Sequence, residues 1–511
     1  MLSLRSLTTG IALSVCILFT ACTASKSITE TQTRLRRIDD FRSVDMESTT
    51  PLLDKYRKGE EDQVLYHLEY AMLNHYRNEW QESSKHFKSA EAAIEKYYTK
   101  SINRNLQAML VNDLQLAYKG EFYEDVYLNV FNALNYLHQS DTQGALVEAR
   151  RVTHKLEQLS DRYKGLASSL MKRDTAQTAV KQADEKLEDV DLLSTDDEPP
   201  QIQQNSALGR FLTTVLNAKA GERDNARIEL QKLRTALADQ GQTGYLTALA
   251  GADHSGPSES ASYYSPDFWM QEEWAAADVL STLFEQEFEL VGSSAPRKEA
   301  TDSTGVSVPA PGDLKRSDAY NTLFLCFSGR PPKKSERQYD LPLVINDETV
   351  QLHFAVPVLD TPESRVARVQ AITVGDTLQV PVIEDMQSVA HEMFDKKKPV
   401  IYTRAVIRSF IKMGATEGAE AAARDEMGDA AGFLAEQAGN IMSHVSAQAD
   451  VRGWQTMPGK AHAVVARLPE GTHSVTFEFL SEQGQVLKRR HHKVTVGSEQ
   501  DLALAESIFL K

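Results

Sequence analysis

The sequence predicts an α+β protein: an α-helical N-terminal half followed by a mixed α/β domain that closes on a small β module. Three observations carry this. Apolar residues recur at three- and four-residue spacing as far as about residue 240, the helical period. Short β-branched and aromatic runs begin near Tyr320. Between them, residues 291–317 are rich in Gly, Ser, Pro and Thr, which places the boundary there and assigns 22–290 to the helical domain and 318–511 to the mixed one.

The first residues form a separate element. Met1–Gly10 carries one basic residue, Arg5, and Ile11–Phe19 is apolar or small. A spanning helix needs about 20 apolar residues, so this run has the layout of a cleaved signal peptide. The sequence Thr20-Ala21-Cys22 resembles a bacterial lipoprotein signal, which implies removal of residues 1–21 and lipidation of Cys22. Thr23, where an inner-membrane retention signal resembles Asp, implies an outer-membrane anchor facing the periplasm. With Cys16 lost and Cys22 acylated, Cys326 is left alone, so neither a disulfide framework nor a zinc site is expected. Cys326 lies in the apolar run "TLFLCFSG" and is expected to be a buried hydrophobe.

Amphipathic helices follow at Val64, Leu68, Ala71, Met72 and His75, then at Ile102, Leu106, Met109 and Leu110, then at Val126, Val130, Ala133, Leu134 and Leu137. Tyr123, Tyr127 and Phe131 give the last of these a second apolar face, so it is expected to be buried from two sides. Three segments then align on their turns. "NEWQESSKHFKSA" places Trp80, Ser83, Phe87 and Ala90 at the spacing at which "SDTQGALVEARRV" places Thr142, Ala145, Ala149 and Val152. "GERDNARIELQKL" repeats it with Arg223, Ala226, Leu230 and Leu233. This helix-turn-helix grammar resembles tetratricopeptide (TPR) repeats, interrupted by extra helices. Trp80 and Phe87 are expected in the core of the first hairpin. From Ala145 to Leu170 an a/d seam continues, predicting a long helix over about 141–190 that either projects or folds back, stopped at "DVDLLSTDDEPP". A further helix is predicted in "DFWMQEEWAAADVLSTLFEQEFELV".

In the second half "NTLFLCFSG", "ETVQLHFAVPVL", "RVARVQAITV" and "DTLQVPVI" predict strands, and helices are predicted at Met386–Phe394 and from Val400. Glycines four apart at 414–449 predict close helix packing. The segment "KAHAVVARLPEGTHSVTFEFLSEQGQVLKRRHHKVTVG" predicts strands with turns at Pro469-Glu470-Gly471 and Gln483-Gly484, similar to small β-sandwich modules of envelope proteins.

The formal charge of −16 argues against a nucleic-acid partner. It is uneven: residues 318–511 hold 21 Lys and Arg against 25 Asp and Glu, so the helical half is the acidic one. Catalytic signatures are missing. His391-Glu392 lacks the second histidine of a metalloprotease helix, and neither a Gly-x-Ser-x-Gly elbow nor a phosphate-binding Gly-rich loop occurs. No catalytic residue, cofactor or metal is therefore expected, and "KRRHHK" reads as a solvated strand edge. The basic residues are the sharpest feature. Arg404, Arg408 and Lys412 fall four apart on one helical face, just after Lys396-Lys397-Lys398, and Lys333, Lys334 and Arg337 lie in a predicted loop. Lys333, Lys334, Arg404, Arg408 and Lys412 are the candidate site for an anionic glycan or lipid.

The lipidation stretch, "DTQGALVEARRV", "SGRPPKK", "IYTRAVIRSFIK" and "ADVRGWQTMPGKAHAVVARLPEGTHSV", with Asp450, Arg452, Trp454 and Pro458, together resemble a family of large bacterial envelope lipoproteins with a TPR-like N-terminal half and no assigned reaction. The resemblance implies an envelope location and carries no reaction; the helical repeats predict a lipid-anchored periplasmic scaffold that binds envelope proteins. Two alternatives stand beside it: a regulator of peptidoglycan synthesis, and a hydrolase or transferase whose site is assembled from distant residues.

Overall fold

The computed structural model describes residues 30–38, 40–57, 60–102, 116–171, 177–187, 192–193, 205–241, 306–309, 311–345, 348–373, 375–412, 448–497 and 502–511. Cys22, most of the 291–317 linker, the helix expected in "DFWMQEEWAAADVLSTLFEQEFELV" and nearly all of 414–449 lie outside these residues.

After helix α1 (Met46–Arg57), each of the three aligned turns closes a helical hairpin by the same backbone device. The pairs are α2 (Gln63–Tyr76) with α3 (Trp80–Ile102), α4 (Phe122–His138) with α5 (Thr142–Met171), and, after the short α6 (Gln177–Asp184), α7 (Ala207–Lys219) with α8 (Arg223–Asp239). Asn78, Ser140 and Gly221 take φ values of 66°, 58° and 77°. The next N–H, of Glu79, Asp141 or Glu222, donates to the carbonyl of Asn74, Tyr136 or Asn217 at 2.9 Å in all three. This is the Schellman closure, in which a left-handed residue satisfies the last carbonyls of a helix. A Cβ at Gly221 would meet nothing within 4 Å, so only backbone conformation restricts that position. Gly221→Ala is expected to lower stability by about 1 kcal/mol, measured as a urea midpoint shift. An unchanged midpoint would contradict the strain argument.

The last three aligned positions of each second helix point inward: Ser83, Phe87, Ala90, Ala145, Ala149, Val152, Ala226, Leu230 and Leu233 are at most 3% exposed, whereas of the first positions Trp80 and Thr142 are half-buried and Arg223 is exposed. Helix α4 is covered on both faces as expected, with Tyr127, Phe131 and Leu134 each 0% exposed. The long helix, however, does not run on to 190. α5 ends at Met171 after 30 residues, and α6 turns onto the strands, where Gln182 bonds both the N–H and the carbonyl of Val344 at 2.8 and 2.7 Å.

The second half contains β1 (Thr322–Ser328), β2 (Lys333–Ile345), β3 (Glu348–Asp360), β4 (Arg368–Thr373), β5 (Asp376–Gln379) and β6 (Val382–Asp385). Helix α9 (Met386–Lys412) follows, then β7 (Lys460–Ala466), β8 (Gly471–Leu480), β9 (Val486–Val496) and β10 (Ala503–Phe509). They form sheets of order β10-β1-β7-β6 and β5-β4-β8-β9, and a β2-β3 ribbon. The fully buried β1 is central, antiparallel to β7 and parallel to β10. Cys326, on β1, is 0% exposed.

Three expectations are corrected. Lys333, Lys334 and Arg337 sit in strand β2, not in a loop. Strand β10 was not expected at all. Helix α9 runs through Pro399 where two helices were predicted. A proline removes one helical hydrogen bond, and here Val400, Tyr402, Val406, Ile407 and Phe410, all buried, hold the following turns in place.

The two halves share one core. Phe131 of α4 lies 5.1 Å from Phe327 of β1 and 5.9 Å from Trp454, which also meets Phe87 of α3 at 6.0 Å between ring centroids.

Candidate functional site

Of the predicted basic residues, Lys334 faces a protein carboxylate and not open space. Lys334 is 8% exposed; its ammonium pairs with Glu121, and donates to the carbonyl of Arg452 at 3.1 Å. Lys397 of α9 pairs with the same carboxylate. Burial alone would raise the Glu121 carboxyl, but the two lysines outweigh it and hold it far below the usual range. Arg404 and Arg408 lie further along α9, with Arg408 only 6% exposed, and Lys412 is its last residue. The anion for Lys334 is therefore a protein carboxylate, Glu121, the N-cap of α4. Lys333, at the start of β2, is half-buried.

Other buried acids of the helical half grip residues 450–458, which follow no regular structure. Glu69 of α2 accepts the N–H groups of Gln455 and Thr456 at 2.7 and 3.1 Å, and the Thr456 hydroxyl at 2.6 Å. Burial pushes its carboxyl up to about 7 against the pull of those donors. Glu124 accepts the Trp454 N–H at 2.7 Å and the Tyr118 hydroxyl at 2.7 Å. Glu384, at the end of β6, receives the N–H groups of Ala207 and Leu208 at the N-terminus of α7, a placement the helix dipole favours. Arg452 and Trp454 are thus part of the clasp between the halves.

Among the described residues a cleft of about 430 Å³ opens between Arg42, the turn into α3, the end of α4 and two edge strands, β9 and β10. Its floor is Glu506. Its carboxylate oxygens accept from His75 Nε2 at 2.8 Å and His138 Nε2 at 2.7 Å. Those histidines overcome the upward push of burial and hold the Glu506 carboxyl far below its ordinary value. Trp80, expected in the core, instead stacks on His138 in the cleft, 3.9 Å between centroids and 3° between planes. "KRRHHK" does form an edge strand, but it is not simply solvated. His492 is half-buried, its Nε2 lies 3.5 Å from Arg42 and 3.3 Å from the Ser507 hydroxyl, and burial followed by Arg42 pushes it down to about 4. The Ser507–His492 contact does not make a catalytic triad. Ser507 is fully buried, and no carboxylate meets His492 Nδ1 among the described residues.

Sequence reasoning missed Glu69, Glu121, Glu124, Glu506, His138 and Arg42. For Glu69 and Glu124 a signal existed: each interrupts an apolar helical stretch, "LYHLEYAM" and "FYEDVY". Among the described residues no group of His, Cys, Asp and Glu could hold a metal ion, and no helix is long and apolar enough to cross a membrane. Compared with family models, curated proteins and solved structures, the chain matches none.

Proposed function

We propose that the protein is a lipid-anchored scaffold of the outer membrane that faces the periplasm and binds envelope proteins through a TPR-like array of hairpins. The mixed half, with its sandwich-like final module, serves as the buttress that fixes the array. One observation carries this reading. Val147 of α5 and Ile228 of α8 each stand five residues past the start of the second helix of a hairpin, and both are exposed, at 52% and 44%. Two of the three hairpins thus leave a large apolar side chain at one equivalent outer position, where the first carries Lys85, and such a pair suits contact with another surface. Side-chain ion pairs bridge the same two helices, Arg150 to Glu222 at the N-cap of α8 and Lys232 to Glu157.

The test is photo-crosslinking in living cells from residues 147 and 228, combined with fractionation. Both sites are expected to yield the same discrete adduct, lost on Val147→Asp with Ile228→Asp, and Cys22→Ala is expected to release the protein from outer membranes. A crosslink to a peptidoglycan synthase would specify the regulatory version of the reading. Absence of adducts from both sites, or outer-membrane flotation of Cys22→Ala, would refute it.

A further inference from the structure

The cleft over Glu506 is chemically unlike the rest of this acidic chain. Its only acid is Glu506, both of whose oxygens are already taken by His75 and His138. What remains on its lining are donors. The guanidinium of Arg42 contacts His492 and the Glu506 carbonyl through its two terminal nitrogens, while its Nε is buried with no hydrogen-bond partner. The ammonium of Lys493, the indole N–H of Trp80 and the amide of Asn78 also line the cleft and make no side-chain hydrogen bond or ion pair among the described residues. The neighbouring acid Asp40 is paired with Arg490 at 2.6 Å. Of these donors Arg42 Nε is buried, while Asn78 and Lys493 are exposed and open to a group that enters the cleft.

We propose that this cleft binds a phosphate group carried on a moiety the size of a sugar or a lipid headgroup. The donors come from different elements and include two cations, Arg42 and Lys493, so a tetrahedral oxyanion, with more than one negative charge and an oxygen in each direction, complements them better than a singly charged, planar carboxylate. A volume of about 430 Å³ leaves room beyond the phosphate for a small ring or glycerol unit, and the indole of Trp80, backed by the stacked His138 imidazole, is a surface for it. The proposal is independent of the hairpin surface, which lies on α5 and α8.

Titration calorimetry on the full-length protein with inorganic phosphate, glucose 6-phosphate, glycerol 3-phosphate and, as a neutral control, glucose tests it. Binding of at least one phosphorylated probe and not glucose is expected, weakened by salt. Tighter binding of glucose 6-phosphate would identify a sugar phosphate, and tighter binding of glycerol 3-phosphate a lipid headgroup. Lys493→Gln, an exposed residue whose loss should leave thermal melting unchanged, is expected to weaken binding on the order of tenfold. Arg42→Gln should weaken it further. Silence from every phosphorylated probe at millimolar concentration, or equal binding by wild type and Lys493→Gln, would overturn the proposal.

Discussion

Trp454→Ala is expected to destabilise the whole chain by about 3–5 kcal/mol, the range for removing a large buried aromatic side chain. The indole is 2% exposed and wedged between Phe87 of the first hairpin and Phe131 of the second. Its Nε1 donates to the Thr456 hydroxyl at 3.0 Å, the same hydroxyl that donates to Glu69. Truncation therefore opens a cavity at the point where both hairpins meet the second half, and it removes a partner from a hydroxyl inside a buried network. Because residues 450–458 belong to no helix or strand, side-chain anchors and the bonds to Glu69 and Glu124 hold them in place. A loss there should be felt by both halves together. Urea unfolding followed by circular dichroism at a helical and a strand wavelength is expected to show one shifted transition. Trp454→Phe should recover part of the loss, since a ring still fills most of the space. An alanine variant that melts with wild type would mean that the clasp is dispensable.

What the sequence made legible is local. The three hairpins were visible because a Schellman turn demands a residue tolerant of positive φ before a polar one, and Asn78-Glu79, Ser140-Asp141 and Gly221-Glu222 meet that demand within a few residues. Strands β1, β3 and β7 announced themselves as apolar runs. Strand β2 did not, since "KKSERQYD" carries polar side chains along one long ribbon whose stability comes from pairing with β3. Strand β10 was hidden for a different reason. Its residues "ALAESIF" have little β character of their own and become a strand by pairing with β1, about 180 residues earlier. The candidate site was illegible on the same ground. Lys334 reads as an available cation because Glu121 is 213 residues away, and nothing near Glu506 in sequence points to its partners, His75 and His138, which are 431 and 368 residues away. Charge in a sequence gives sign but not partner, and in this fold the partner decides whether a basic residue meets solvent or a buried carboxylate.

Arg452→Ala is expected to cost a similar amount, about 3–5 kcal/mol, by a different mechanism: it strands charge rather than opening space. The guanidinium is 1% exposed and holds Asp450 through two parallel bonds, Nε to Oδ1 and Nη2 to Oδ2, each 2.8 Å. A third arm reaches Asp62 at 3.0 Å, and Nη2 also donates to the carbonyl of Leu116 at 3.1 Å. Burial already raises the Asp62 carboxyl against the opposing pull of Arg452. Without that cation the acid must take up a proton or draw in water. Arg452→Lys is not a remedy, because a single ammonium cannot supply the fork that engages Asp450 while also reaching Asp62 and Leu116. If stranded charge is the cause, Asp62→Asn should be mildly destabilising alone yet recover part of the loss in the Arg452→Ala background. The coupling between the two should fall within about 0.5–3 kcal/mol. Replacing Asp62, Asp450 and Arg452 together by Asn, Asn and Met should recover more, since a buried ionic cluster is often dispensable once every member is removed. Strict additivity of Arg452→Ala and Asp62→Asn would sink this account and leave the arginine as a packing element, held by its stem and by the Tyr118 ring 5.2 Å from its guanidinium carbon.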